Sequence, residues 1–103
     1  MICTKHLRYE RIDRVVYILR NVGIGEVIKE EKSISPNGKV SYQCLTDTGV
    51  LLVVDETKTV CITMYVATQP KISALYKGNT PGWVIRMVKK NKKHAKLQNE
   101  MRY

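Results

Sequence analysis

The sequence predicts an α+β domain in which an N-terminal helix packs on a four-stranded antiparallel sheet, followed by a basic C-terminal helix. Three observations carry this. Residues 49–65, GVLLVVDETKTVCITMY, pair a continuous apolar run with a second β-branched and aromatic run across the polar turn Asp55-Glu56-Thr57-Lys58, as in a buried hairpin. Residues 5–22 show helical rather than alternating apolar spacing. Strong turn chemistry at Ser35-Pro36-Asn37-Gly38 and Thr46-Asp47-Thr48-Gly49 divides the segment between them into further strands.

Taken in order, Thr4 is the expected N-cap of a helix running from Lys5 to Val22. Ile12, Val15, Val16, Leu19 and Val22 form its apolar stripe, with Arg11, Arg14, Leu7 and Ile18 on the far side. Gly23 is a natural left-handed terminator. The charge-rich segment from Glu26 to Ile34 reads as an edge strand, because charges along an edge discourage further pairing. Lys39 to Thr46 forms the next strand, with Val40, Tyr42 and Cys44 on one face and Ser41, Gln43 and Leu45 on the other. Strict alternation in the last strand places Cys61, Thr63 and Tyr65 opposite Val60, Ile62, Met64 and Val66. Gln69-Pro70 stops the sheet, and a short helix spans Lys71 to Lys77, ending at Gly78.

The boundaries are residues 1–78 for the compact part and 79–103 for a basic C-terminal helix or tail of the same domain. Thr80-Pro81 reads as N-cap and first helical position. Trp83, Ile85 or Met87, and Val88 supply apolar residues for docking the first turns. Beyond Val88 the apolar spacing weakens, so the remainder is expected to be solvated, frayed or ordered by a partner.

At 103 residues the chain can bury about two-thirds of its unfolded surface, so neither disulfides nor metals are needed for a core. Its three cysteines, Cys3, Cys44 and Cys61, have no CxxC spacing and are expected to be reduced, packed thiols. There is no metal-ligand motif or phosphate-binding glycine loop, and no cofactor or metal is expected. No run approaches the length of a membrane span and no apolar leader core opens the chain, so the expected setting is the cytoplasm, without a membrane partner.

Charge points toward a partner class. The net charge is +9, and residues 71–103 alone carry nine Lys or Arg against one Glu. Such a segment favours a polyanion, because each neutralised phosphate releases counterions. Arg86, Lys89, Lys90, Lys92, Lys93 and Lys96 are the candidate nucleic-acid contacts; the plainer alternative is a solubilising tail. RNA is expected ahead of DNA, with an acidic protein such as an antitoxin as another possible partner. His94, within NKKHAK, reads as an exposed residue or as part of this surface.

A metal-independent ribonuclease requires a general base, a general acid and cations for the phosphorane. His6 suits the first two roles, since a free imidazole titrates at about 6.5. Arg11 or Arg14 suits phosphate, while Thr63 and Tyr65 are hydroxyls at strand spacing that apolar packing does not require. Alternatively, His6 opens the helix and pairs with Glu10 one turn on.

The helix beginning Thr4-Lys5-His6 and running through Glu10-Arg11 to Arg14, followed by four strands of which one reads VCITMY, resembles the small ribonuclease-toxin superfamily that includes barnase, EndoU, colicin nucleases and RelE. In style it is most similar to compact phage and bacterial members. The resemblance covers roughly residues 4–67. It implies an endoribonuclease with His6 as acid or base, Arg11 and Arg14 as phosphate ligands, and Thr63 or Tyr65 at the sheet end of the cleft. The Glu-Arg pair lies one position later than that pattern expects, a rotation of about 100° on the helix. The other reading is a non-enzymatic phage or mobile-element accessory protein that binds nucleic acid or an acidic partner through Arg86 to Lys96.

Overall fold

The computed structural model describes residues 2–3 and 12–100. The expected N-cap Thr4, the first part of the helix with His6 and Arg11, and the end of the tail lie outside the described residues. The elements are β1 (Ile2–Cys3), α1 (Ile12–Asn21), β2 (Val27–Ile34), β3 (Val40–Thr46), β4 (Val50–Asp55), β5 (Val60–Val66), α2 (Gln69–Leu75), α3 (Gly82–Lys90) and α4 (Lys92–Glu100). The sheet order is β1-β5-β4-β3-β2. Strands β2 to β5 form the expected antiparallel meander, and β1 adds a short parallel pairing to β5.

The continuous apolar run of β4 makes both faces of the sheet adhesive, and both are covered. Val50, Leu52 and Val54 pack with Met64 and Val66 of β5, Val15 and Ile18 of α1 and Ala95 of α4. On the opposite face Leu51 and Leu45 pack with Ile72 and Leu75 of α2 and Val84 and Val88 of α3. Alternation at period two thus sends successive β4 side chains into separate cores.

Two expectations about side-chain direction, and two about where helices begin, need correction. In α1 the buried residues are Val15 and Ile18, with Val22 packed against the same core. Ile12, Val16 and Leu19 face solvent, Leu19 at 54% exposure. Two overlapping apolar arcs exist on this helix, and the sheet takes the one centred on Ile18. In β5 the register passes from Val53↔Thr63 to Val54↔Cys61, so Ile62 is the extra residue of a β-bulge. The bulge moves Cys61 onto the face of Met64 and Val66 and separates it from Thr63 and Tyr65. At α3, Pro81 is the N-cap and Gly82 the first helical residue, one position later than expected. Gln69-Pro70 opens α2 rather than merely ending the sheet.

The turns behave as their residues require. Gly23 ends α1 at φ +79°, its N–H donating to the Ile18 carbonyl at 2.7 Å. At the β2–β3 hairpin the Gly38 N–H donates to the Ser35 carbonyl at 2.9 Å. At the β4–β5 turn Asp55 accepts from the backbone N–H of Val60 at 3.1 Å and of Thr59 at 3.0 Å, and from the Thr57 hydroxyl at 2.8 Å. These donors, Val60 first, hold the Asp55 carboxyl below its ordinary value.

The largest departure is the basic tail, which is docked rather than frayed. Asn91 N–H donates to the Met87 carbonyl at 3.0 Å and Ala95 N–H to the Asn91 carbonyl at 2.9 Å, so helical bonding carries through the junction of α3 and α4. Asn91, Ala95 and Gln98, spaced four and then three, are buried against the sheet. Gln98 is 3% exposed and binds both backbone groups of Val66, accepting from its N–H at 2.7 Å and donating to its carbonyl at 2.8 Å. Ala67 N–H bonds to the Gly49 carbonyl on the β4 side. The Val66 groups therefore face away from β4, and Gln98 completes them as a neighbouring strand would.

Two outcomes follow from these contacts. Gln98→Leu strands two buried backbone groups and should cost about 2–4 kcal/mol in denaturant unfolding; a change below about 0.5 kcal/mol would show that α4 is held otherwise. Because Asp55 has a lowered folded pKa, its contribution to stability is present above its ordinary value of 3.8 and is lost as pH falls through the lower folded value. Urea midpoints of Asp55→Ala should accordingly show a shallower acid limb than those of the parent chain.

Candidate nucleic-acid interface

The tail's geometry follows from its anchoring. With Val84, Val88, Asn91, Ala95 and Gln98 turned inward, positions about 100° apart distribute the cations over the remaining helix surface. Lys89, Lys92 and Lys96, spaced three and then four, fall on one flank. Arg86, Lys90 and Lys93, spaced four and then three, fall on the outermost side. Each of these six side chains is exposed except at its attachment.

The first flank borders a groove of about 580 Å³ between α3–α4 and the segment joining β5 to α2. Ala67, Thr68, Gln69 and Pro70 form one wall, and Val88, Lys89, Lys92, Ala95 and Lys96 the other. Apolar atoms form much of the lining, three lysines supply charge, and no carboxylate lies among the lining residues. Seven residues of helix span about 10 Å, comparable with about three phosphates at the 3.4 Å rise of one stacked strand. Thr68 makes no side-chain cap to α2, which leaves its hydroxyl on the groove wall without that role.

His94 is not an ordinary exposed residue. Its Nδ1 lies 2.7 Å from the Tyr17 hydroxyl, and the two rings pack at a centroid distance of 5.7 Å. This pair ties α4 to α1, and so tightens the anchoring of the basic helix. It takes His94 out of the lysine surface.

The residues considered for catalysis are only partly brought together. His6 and Arg11 lie outside the described residues. Thr63 and Tyr65 share a face of β5, opposite Val53 and Leu51 of β4. Burial pushes the Tyr65 phenol up, and the Arg14 guanidinium, close enough to act on it, pulls it back. A phenol is protonated near neutrality, and the upward push leaves Tyr65 a hydrogen-bond donor there and a weaker acid than a free phenol. The buried thiols of Cys44 and Cys61 are core groups, and burial, then the Glu30 carboxylate, pushes the Cys44 thiol up.

The six cations are the candidates read from the sequence, and Thr68, Gln69 and the buried amides are not among them. The spacing of Asn91, Ala95 and Gln98 is the signal that was available, a helical stripe in which amides and a methyl replace bulky apolar groups. Among the described residues no helix is long and apolar enough to cross a membrane.

The phenol shift has a measurable consequence. A raised folded pKa gives a stability contribution fully present below 10.0, the ordinary phenol value, and lost as pH rises through the folded value. Tyr65→Phe should flatten the alkaline limb of unfolding free energy against pH; an unaltered limb would place the burial effect elsewhere.

Comparison with protein-family models, with curated proteins and with solved structures finds no match to this chain.

Proposed function

We propose that this chain binds RNA through the basic face of α3–α4, with the sugar–phosphate backbone lying in the groove between Lys89, Lys92 and Lys96 and the Ala67–Pro70 wall. The observation that carries this reading is the lining itself: three lysines on one helix flank, facing a groove without a carboxylate. A solubilising tail would not need its lysines arrayed along a concavity. Anchoring by Asn91 and Gln98 supports the same reading, since cations on a docked helix lose less freedom on binding than cations on a loose tail.

Salt dependence provides the test. For a single strand, log affinity falls against log salt with a slope of about −0.7 per phosphate neutralised. Replacing Lys89, Lys92 and Lys96 together by Gln should weaken binding of labelled RNA and reduce the slope's magnitude by about 2. Lys39→Gln, in the exposed β2–β3 turn, serves as control and should change little. An unaltered slope in the triple variant would overturn the groove assignment. Recovery of an acidic protein whose binding survives nuclease treatment, without RNA binding, would favour the protein-partner alternative.

A second reading, a metal-independent ribonuclease of toxin type, draws on one further observation, the Arg14 guanidinium near enough to the Tyr65 phenol to favour its ionised form against the larger effect of burial. In that reading His6 and Tyr65 exchange protons with the 2′-hydroxyl and the leaving oxygen, while Arg11 and Arg14 hold phosphate and Thr63 donates a hydrogen bond. Cleavage of RNA in EDTA that falls about 10²- to 10⁴-fold in His6→Ala would support it. Intact RNA under the same conditions would leave binding as the activity.

A further inference from the structure

The outer side of α3–α4 carries a feature that backbone binding does not use. Trp83, the only tryptophan in the chain, lies in the first turn of α3 and is 46% exposed, whereas its neighbour Val84 is fully buried. Large aromatic rings are costly to leave in water, so one set outward calls for an account. Trp83, Arg86, Lys90 and Lys93 are spaced three, four and three residues apart, which places them along one helical stripe. Arg86 reaches back along the helix: its Nη1 lies 3.5 Å from where a Cβ on Gly82 would stand, so its charge sits beside the turn that presents the indole.

Nothing among the described residues neutralises this stripe. The ion pairs there join Lys58 to Glu30 and Lys77 to Glu31, and the cation–ring contacts fall on Tyr42 and Tyr76. An aromatic patch meant for another protein is expected to be surrounded by apolar residues and a mixed polar rim. Here Arg86 stands one turn on, Lys90 and Lys93 follow on the same stripe, and from residue 57 onward the chain's sole acid is Glu100. A ring amid cations suits a polyanion that itself has exposed flat faces. A single-stranded nucleic acid has them; a duplex hides its base faces within the stack.

We infer that Trp83 is a base-stacking platform for single-stranded nucleic acid, flanked by Arg86, Lys90 and Lys93 as phosphate contacts. The inference rests on the RNA binding proposed above and adds the class of ligand. Lys89 and Lys90 are adjacent on the helix, so a strand leaving the groove past Lys89 meets the outer stripe directly. The groove then holds backbone, and Trp83 takes an unpaired base farther along the outer stripe.

Because Trp83 is the sole tryptophan, its fluorescence reports on this site alone. The full chain is titrated at low salt with labelled oligouridylate and with an RNA duplex, following label polarisation and indole emission together. Oligouridylate should bind and quench the emission, whereas the duplex should bind with little quenching. Trp83→Leu should weaken oligouridylate binding about 5- to 100-fold, and the duplex far less. Trp83→Tyr, which keeps a stacking ring, should recover most of the affinity. Circular dichroism checks that each variant is folded. Oligouridylate binding with unchanged emission and an affinity unaltered in Trp83→Leu would overturn the stacking role while the RNA-binding reading stands. Equal quenching by the duplex would overturn the single-strand preference, and absence of binding by either ligand would overturn both readings.

Discussion

Thr48, through its hydroxyl and its carbonyl, is the point at which three parts of the chain are held together. It donates to the carbonyls of Gly23 at 2.6 Å and Ile24 at 2.9 Å, just after α1, with its one proton shared between them. The Thr46 hydroxyl, which accepts from the Val50 N–H at 3.2 Å, directs its own proton to Thr48 at 3.0 Å. The Thr48 carbonyl accepts from Asn91 Nδ2 at 2.7 Å, which brings the α3–α4 junction to the same turn. A short run of polar residues between β3 and β4 thus sets where the first helix ends and where the last one crosses the sheet. Thr46 is fully buried, so its bonds to Val50 and Thr48 also satisfy a hydroxyl that has left water.

Close approach at this turn depends on Gly49. Its φ of +92° lies in the region that disfavours a side chain, and a Cβ there would collide with the Asn91 amide. The junction of α3 and α4 therefore rests almost on the backbone of the turn. Gln98 makes the second anchor, seven residues further on, and the Tyr17–His94 pair the third. These three polar contacts add to the apolar packing of Val84, Val88 and Ala95, and on α4 they stand where bulky apolar groups usually fix a surface helix. That substitution leaves the rest of the helix surface available for charge, and the six cations occupy it.

Held in this way, the cations form two arrays instead of one diffuse cloud. One borders a groove and the other runs along the helix from an exposed indole. A helix that is rigid before binding loses little freedom on meeting a ligand, and the spacing of its charges becomes part of recognition. Clustered like charges are themselves unfavourable, and the network around Thr48 supplies the cohesion that offsets their repulsion.

Much of the architecture was legible in the residues. The apolar run of β4 required cover on both faces, the turns at Ser35–Gly38 and Thr46–Gly49 set the meander, and Gly23 marked the end of α1. These are local signals, in which backbone conformation and hydrophobic period leave few alternatives. The basic segment was equally plain, because charge is read directly from composition. What the residues left open were choices between comparable local options. α1 carries two apolar arcs, and only packing against β5 selects Ile18 over Leu19. Strict alternation in β5 has no marker for an extra residue at Ile62, yet the bulge decides which face Cys61 shares. Asn91 and Gln98 look like solvated positions until Thr48 and Val66 present backbone groups that need partners. Nor does an indole at a helix start reveal whether it turns inward or outward; the burial of Val84 and Val88 settles that for Trp83. The sequence by itself determined the strands, the turns and the sign of the charge. Tertiary structure decided which helix faces were buried and hence where the charges stand, because those depend on contacts between residues far apart in the chain.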